Sequence, residues 1–210
     1  MADFKALETA IGELDEELMI SIINGLIAEN IEGKEILTAC QAGMAIVGER
    51  FESGEYYVAD LIFAGDLMVV AAGLLKSQLS GEESAGAGRM ILCTVKGDLH
   101  DIGKNIVRSM LQAASFEVID LGIDVAPETI VKAAIDENIN IIAMSGVLTL
   151  AVTAMKDTVD AFIAAGLRDK VKILIGGAAI NTGSTEYVGA DASAYSPYLS
   201  VQICQEWTQQ

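Results

Sequence analysis

One histidine, His100, occurs in the 210 residues. It stands in the run Val95-Lys96-Gly97-Asp98-Leu99-His100-Asp101-Ile102-Gly103-Lys104-Asn105, between an apolar segment and a helix-compatible one. An imidazole with a carboxylate two residues before it has the residue types of a cofactor ligand: one ring nitrogen offers a lone pair, and the carboxylate sets which nitrogen keeps the proton. An isolated histidine in such a place is otherwise a structural residue or part of a helix N-terminus. Its surroundings favour the ligand reading, because Ser145-Gly146-Val147-Leu148-Thr149 and Gly176-Gly177-Ala178 also fall at the ends of apolar runs.

The elements that must position these loops follow from periodicity. From Phe4 to Leu79 apolar residues recur every three or four positions, as in Leu14, Leu18, Ile22 and Leu26, or Ile36, Ala39, Gly43, Ile46 and Val47. Breaks near Gly12-Glu13-Leu14-Asp15, Glu29-Asn30 and Glu52-Ser53-Gly54-Glu55 divide this region into about four helices, a bundle over residues 1–80. The small and charged residues of 81–88 predict a linker. Over 89–210 short β-rich runs alternate with helical ones. The predicted strands are 90–95, 117–121, 140–145, 171–175 and a short edge at 191–194. The helices are 103–114, 127–137, 150–165, a weak one near Thr185, and 197–208. The expected fold is therefore α + α/β, a four-helix bundle followed by a flavodoxin-like (Rossmann-type) parallel sheet of five strands. In that strand order the loops after the first and third strands are neighbours at the switch point, where ligands bind.

Composition narrows the setting. With 30 Asp and Glu against 13 Lys and Arg, the chain repels nucleic acid and anionic membranes and suits docking onto other proteins. No apolar run is read as reaching the roughly 18 residues of a spanning helix, and Met1-Ala2-Asp3-Phe4-Lys5 lacks the basic start of a signal peptide, so a cytoplasmic protein is expected. Cys40, Cys93 and Cys204 are odd in number, far apart and in apolar surroundings, which predicts buried, reduced thiols.

Two chemistries share pieces of the histidine loop. Gly97-Asp98-Leu99-His100 matches the Gly-Asp-x-His start of a metallophosphoesterase, but two-metal sites of that kind need further histidines. A phosphate-binding loop at the Gly103 helix, assisted by Lys104, lacks the fixed glycine and Lys-Ser/Thr spacing. The combination Asp98-x-His100-x-x-Gly103, Ser145-x-x-x-Thr149 and Gly176-Gly177 resembles the cobalamin-binding module of methionine synthase. It is equally similar to the corrinoid proteins of O-demethylase and methylamine methyltransferase systems. Residues 4–79 resemble the helical cap that precedes this module, so the likeness covers nearly the whole chain.

That resemblance implies cobalamin, or a related corrinoid, bound with its own base detached from cobalt and His100 as the lower axial metal ligand. Asp98 would hydrogen-bond the imidazole, and the pair could couple proton uptake to release of the histidine between Co(III) and Co(I). Gly97, Leu99, Asp101 and Ile102 belong to the same loop, and Gly103, Ser145, Gly176, Gly177 and Ala178 leave space for the detached base and its tail. Val147, Leu148 and Thr149 complete the facing loop, with Ser145 and Thr149 offering hydroxyls to the cofactor. Tyr57, Leu61 and Met68 would cover its upper face. The departure from the methionine synthase pattern is Ala151, where a serine would close an Asp-His-Ser relay. By the same resemblance the chain is a methyl carrier and not an enzyme. It would take the methyl group from a donor-specific methyltransferase and pass it to a second one using tetrahydrofolate or a thiol, and a reductive activator would restore Co(I). The donor, whether a methylamine, methanol, glycine betaine or an aromatic methyl ether, is recognised by the partner. A mutase small subunit normally lacks the cap, and a cobalamin-sensing regulator needs a DNA-binding domain.

Overall fold

The computed structural model describes residues 4–79 and 87–208. The chain divides into two compact units, Met1–Ala85 and Gly86–Gln210. Most of the expected linker, 81–86, lies outside the described residues, and its last residue, Gly88, is the first of a strand.

The first unit consists of α1 (Phe4–Gly12), α2 (Glu16–Ala28), α3 (Gly33–Glu52) and α4 (Val58–Leu79). Each break expected from the sequence has a local cause. Asp15 caps α2 by accepting the Leu18 N–H at 2.9 Å, and Glu16 and Glu17 place negative charge at its positive end. Leu14, Asn30 and Gly54, just past α1, α2 and α3, take left-handed backbone angles that turn the chain out of the helix. Asp60 accepts the Tyr57 N–H at 2.7 Å and so opens α4.

Glycine lets α1 and α3 cross closely. A Cβ on Gly43 would stand 2.7 Å from Ile11 Cβ and 2.9 Å from the Glu8 carbonyl, and one on Gly12 would stand 2.8 Å from Ile46 Cγ2. The crossing is tied at its end by Arg50 and Tyr56, which both donate to the Gly12 carbonyl, at 3.0 and 2.9 Å.

Helix α4 corrects the expectation about apolar runs. Its window Val58–Leu75 has a mean hydropathy of 2.0 over 18 residues, long and apolar enough to cross a membrane by length and composition. Asp60 and Asp66 interrupt the run to the eye without lowering its mean below that threshold. In the bundle Leu61, Ala64, Leu67, Met68, Ala71 and Leu75 are buried, as expected of a helix that packs against both α2 and α3.

The second unit is the expected alternation: β1 (Gly88–Val95), α5 (Ile102–Ala113), β2 (Phe116–Val125), α6 (Pro127–Asp136), β3 (Ile141–Ser145), α7 (Thr149–Ala164), β4 (Lys172–Gly176), α8 (Ser184–Val188), β5 (Ala192–Ala194) and α9 (Pro197–Thr208). All pairings are parallel and the strand order is β2-β1-β3-β4-β5. Ile91, Cys93, Ile142, Met144, Ile173 and Ile175 join one buried core with residues of α6 and α7. The alternate residues Leu92, Ala143 and Leu174 therefore face the opposite side, where α5 and α9 pack together. A short 3-10 turn, Arg168–Lys170, was not expected. Strand β2 runs four residues beyond its predicted end, because two register shifts against β1 carry it past Gly122, whose φ is +87°.

The α1–α3 crossing yields a stability prediction. Gly43→Ala is expected to lower unfolding free energy by about 1–3 kcal/mol through overpacking, measured by urea unfolding followed by circular dichroism. An unchanged midpoint would mean that the helices can separate at no cost.

Candidate cofactor site

The order of the strands brings together the loops that follow β1 and β3, since these two strands are hydrogen-bonded neighbours. One side chain joins the loops. Asp98 is fully buried, and one of its oxygens accepts from the His100 backbone N–H at 2.9 Å and stands 3.0 Å from His100 Nδ1. The other accepts the backbone N–H groups of Val147 at 2.7 Å and Leu148 at 3.0 Å. Burial alone pushes this carboxyl up, but the donors from Leu148, His100 and Val147 outweigh it and hold Asp98 below the usual carboxylate range. An ionised carboxylate only accepts, so Nδ1 donates to it, and in the neutral ring this tautomer leaves the lone pair on Nε2.

The His100 side chain is 53 % exposed. Among the described residues no cluster of three or more His, Cys, Asp and Glu side chains could hold a metal ion. The arrangement thus offers a single oriented nitrogen, suited to a metal that arrives with its other ligands.

Beside the imidazole, at the carboxyl ends of β1, β3, β4 and β5, lies a cavity of about 280 Å³. His100, Gly103, Ser145, Val147, Gly176, Gly177 and Ala178 line it, as do Leu92, Ala143 and Leu174 from the sheet and Val107 from α5. Sequence reasoning missed these last four. The period-two alternation of the strands held the signal, because it puts Leu92, Ala143 and Leu174 on one face in register. It also missed Ala194, Tyr195, Ser196, Pro197 and Ser200 on the far wall, where β5 passes into α9. Two glycines make the backbone fit. Gly177 has φ +111°, and a Cβ there would stand 2.2 Å from the Gly146 carbonyl oxygen, so the β3 and β4 loops touch backbone to backbone. Gly103 is different: it lines the cavity, yet no protein atom lies within 4 Å of where its Cβ would be. A helical glycine costs about 1 kcal/mol relative to alanine, and nothing in the packing requires it, so the space it leaves fits a group from outside the protein.

The remaining expected residues surround this centre. Leu99 and Ile102 are 63 % and 76 % exposed beside His100, and Leu148 and Thr149 are also exposed, forming an apolar rim of the kind that a flat ligand would cover. Gly97, at φ +82°, donates its N–H to Asp124 at 2.7 Å. Asp101 precedes α5 and accepts from the Asn105 side chain at 3.1 Å. Lys104 is 2 % exposed and is neutralised by Asp120, which also takes Arg108 at 2.8 Å. Ala151 is buried, and a Cβ on Gly146 would meet its Cβ at 2.4 Å, so even this small residue is closely packed. In the helical unit Tyr57 is 72 % exposed, whereas Leu61 and Met68 are buried. The three cysteines are free and buried, and burial pushes each thiol up to about 12.

Two family models, each described as a B12 binding domain, match the chain, one over residues 88–196 and the other over 4–76. Dimethylamine corrinoid protein 2 of Methanosarcina acetivorans is 32 % identical over 207 residues, covering 95 % of this chain and 96 % of the relative. A cobalamin-binding protein from Desulfitobacterium hafniense, known from its crystal structure, is 42 % identical with a TM-score of 0.89, covering 99 % of both chains. The methanol:cobalamin methyltransferase complex from Methanosarcina barkeri shares the fold, with a TM-score of 0.80 at 23 % identity over 98 % of this chain and 79 % of that one. These matches span both the helical unit and the sheet unit: the chain belongs to the B12-binding family of corrinoid proteins.

Proposed function

We propose that this chain is a methyl-carrying corrinoid protein that holds its cofactor with the base detached and His100 as lower ligand to cobalt. The observation that carries the reading is the Asp98–His100 pair, which leaves Nε2 available beside the cavity. When bound, the corrinoid cobalt supplies a centre that can take up and give back a methyl group. The residues of the chain do the rest. Asp98 keeps the proton on Nδ1 and makes Nε2 a stronger donor. Gly103, Gly176, Gly177 and Ala178 leave room for the detached base over the floor of Leu92, Ala143 and Leu174, and Ser145 and Thr149 offer hydroxyls to the tail and lower face. Leu99, Ile102, Val147 and Leu148 give the macrocycle an apolar seat. Of the three bundle residues assigned to shielding, Tyr57 is the one exposed to meet a ligand.

In this reading the protein is not itself an enzyme. A donor-specific methyltransferase loads it, a second enzyme with a tetrahydrofolate or thiol acceptor unloads it, and a reductive activator restores it, all in the cytoplasm. The relatives named for dimethylamine favour a methylamine as the donor. Its acidic surface suits basic patches on these partners.

Because His100 is the only histidine, labelling with 15N-histidine marks one site. The Co(II) form is expected to show electron-spin coupling to that nitrogen, and His100→Ala to lose it while the fold survives. Gly103→Leu, which meets no protein atom at its Cβ, is expected to weaken cobalamin binding about tenfold or more, at least 1.4 kcal/mol. Wild-type affinity in that variant would place the tail elsewhere.

Asp98→Asn exchanges an acceptor for an amide that must turn a donor toward the ring or toward the Val147 and Leu148 N–H groups. It is expected to cost about 1–3 kcal/mol in stability. It should also shift the Co(II)/Co(I) midpoint by about 59 mV for each tenfold change in relative His affinity. An unchanged midpoint with unchanged pH dependence would refute the tuning role.

The carrier reading is tested by the reconstituted protein alone. It should show a corrinoid spectrum and transfer no methyl group from methylamines to tetrahydrofolate or a thiol until methyltransferases are added. Turnover without them would overturn it.

A further inference from the structure

The loop from Lys96 to Asp101 has no regular secondary structure, and its placement depends on a brace built by Thr94 and Asp124. Thr94, the penultimate residue of β1, is fully buried, and its hydroxyl donates to the Asp98 carbonyl at 2.6 Å. The same hydroxyl accepts the Asp124 backbone N–H at 2.9 Å, and that N–H also lies 3.1 Å from the Asp98 carbonyl. Asp124 then returns with its side chain, accepting the Gly97 N–H at 2.7 Å and pairing with Lys96 at 3.0 Å. Backbone geometry is adapted to this contact. Asp124 has φ +55°, a left-handed conformation that Asp and Asn tolerate better than most side chains. The second register shift between β1 and β2, from the Cys93–Gly122 pair to the Val95–Val125 pair, encloses it. A valine at 94 would fill the same volume without a polar group in the core, so the buried hydroxyl calls for a polar task.

We propose that Asp124 and Thr94 are positioning residues that set His100 against the cofactor site. The inference rests on the corrinoid reading above. Asp98 is held through its side chain by the β3 loop and through its carbonyl by this brace, so the residue that orients the imidazole is fixed at both ends. Releasing the carbonyl end frees Gly97 and Asp98 to rotate as a unit and carries Nε2 off the line on which it would meet cobalt.

The test compares wild type with Thr94→Val, Asp124→Ala and Asp124→Asn in the full chain reconstituted with cobalamin. Affinity, the 15N-histidine coupling of the Co(II) form and thermal unfolding are measured for each. Thr94→Val and Asp124→Ala are expected to bind at least fivefold more weakly and to show a reduced His-coordinated fraction, while Asp124→Asn, which keeps an acceptor and tolerates the same φ, stays close to wild type. Lower stability with an unaltered His signal in the two disruptive variants would overturn the proposal, because a merely structural brace behaves that way. Wild-type values throughout would overturn it too. Should Asp124→Ala not fold, Thr94→Val decides. Failure of wild type to bind cobalamin at all would instead refute the corrinoid reading.

Discussion

The carboxylate of Asp98 is the constraint on which the arrangement depends. It is fully buried and takes hydrogen bonds from two backbone N–H groups of the loop after β3 and from the N–H and ring of His100. A buried charge without partners is strongly unfavourable, and one with four donors is a fixed point. Because the donors come from two loops, neither can move without exposing the charge. The irregular loop after β1 therefore presents its imidazole in one orientation.

The sheet makes that joint possible. In the order β2-β1-β3-β4-β5 the chain leaves β1 toward one edge and returns to pair β3 on its other side, so the two loops emerge side by side. The close contact of Gly146 and Gly177 continues the arrangement to the β4 loop. The Asp98 side chain joins the β1 and β3 loops, the β3 and β4 loops meet backbone to backbone, and Gly176 and Gly177 leave side chains out where the β4 loop borders the cavity. Gly103 extends the same logic onto α5, where its missing side chain opens space that the protein does not fill.

Much of this was legible in the sequence, and the reasons differ by element. Strong period-two and period-3.6 patterns located the five strands, the five helices of the sheet unit and the four of the bundle, usually to within one or two residues. The linked positions Asp98, His100 and Gly103 were legible because their residue types are uncommon in such a setting. Backbone partners were not. Nothing in the types of Val147 and Leu148 announces that their N–H groups hold Asp98, and a bonded backbone amide leaves no compositional trace. The extension of β2 through Gly122 and Asp124 was hidden for a similar reason, since Gly and Asp read as a strand end unless the bulge is known. The sequence names Lys104 only as an aid to a phosphate-binding loop, and the sheet shows that Asp120, sixteen residues on, neutralises it. Helix α4 was misjudged by counting unbroken runs, which two aspartates interrupt without making the helix polar overall.

Ala151 shows how the sequence and the structure complete each other. The sequence ends the relay at Asp98 because alanine has no hydroxyl, which left open what satisfies the other carboxylate oxygen. The structure supplies two backbone N–H donors there. The difference matters chemically: a serine hydroxyl can reverse its role and pass a proton, whereas a peptide N–H only donates. Asp98 is thereby kept ionised, consistent with its lowered pKa, and the proton stays on Nδ1. In the proposed role His100 would hold the cobalt through Nε2, and the strength of that ligand would be set by fixed geometry and not by a proton shared along a chain.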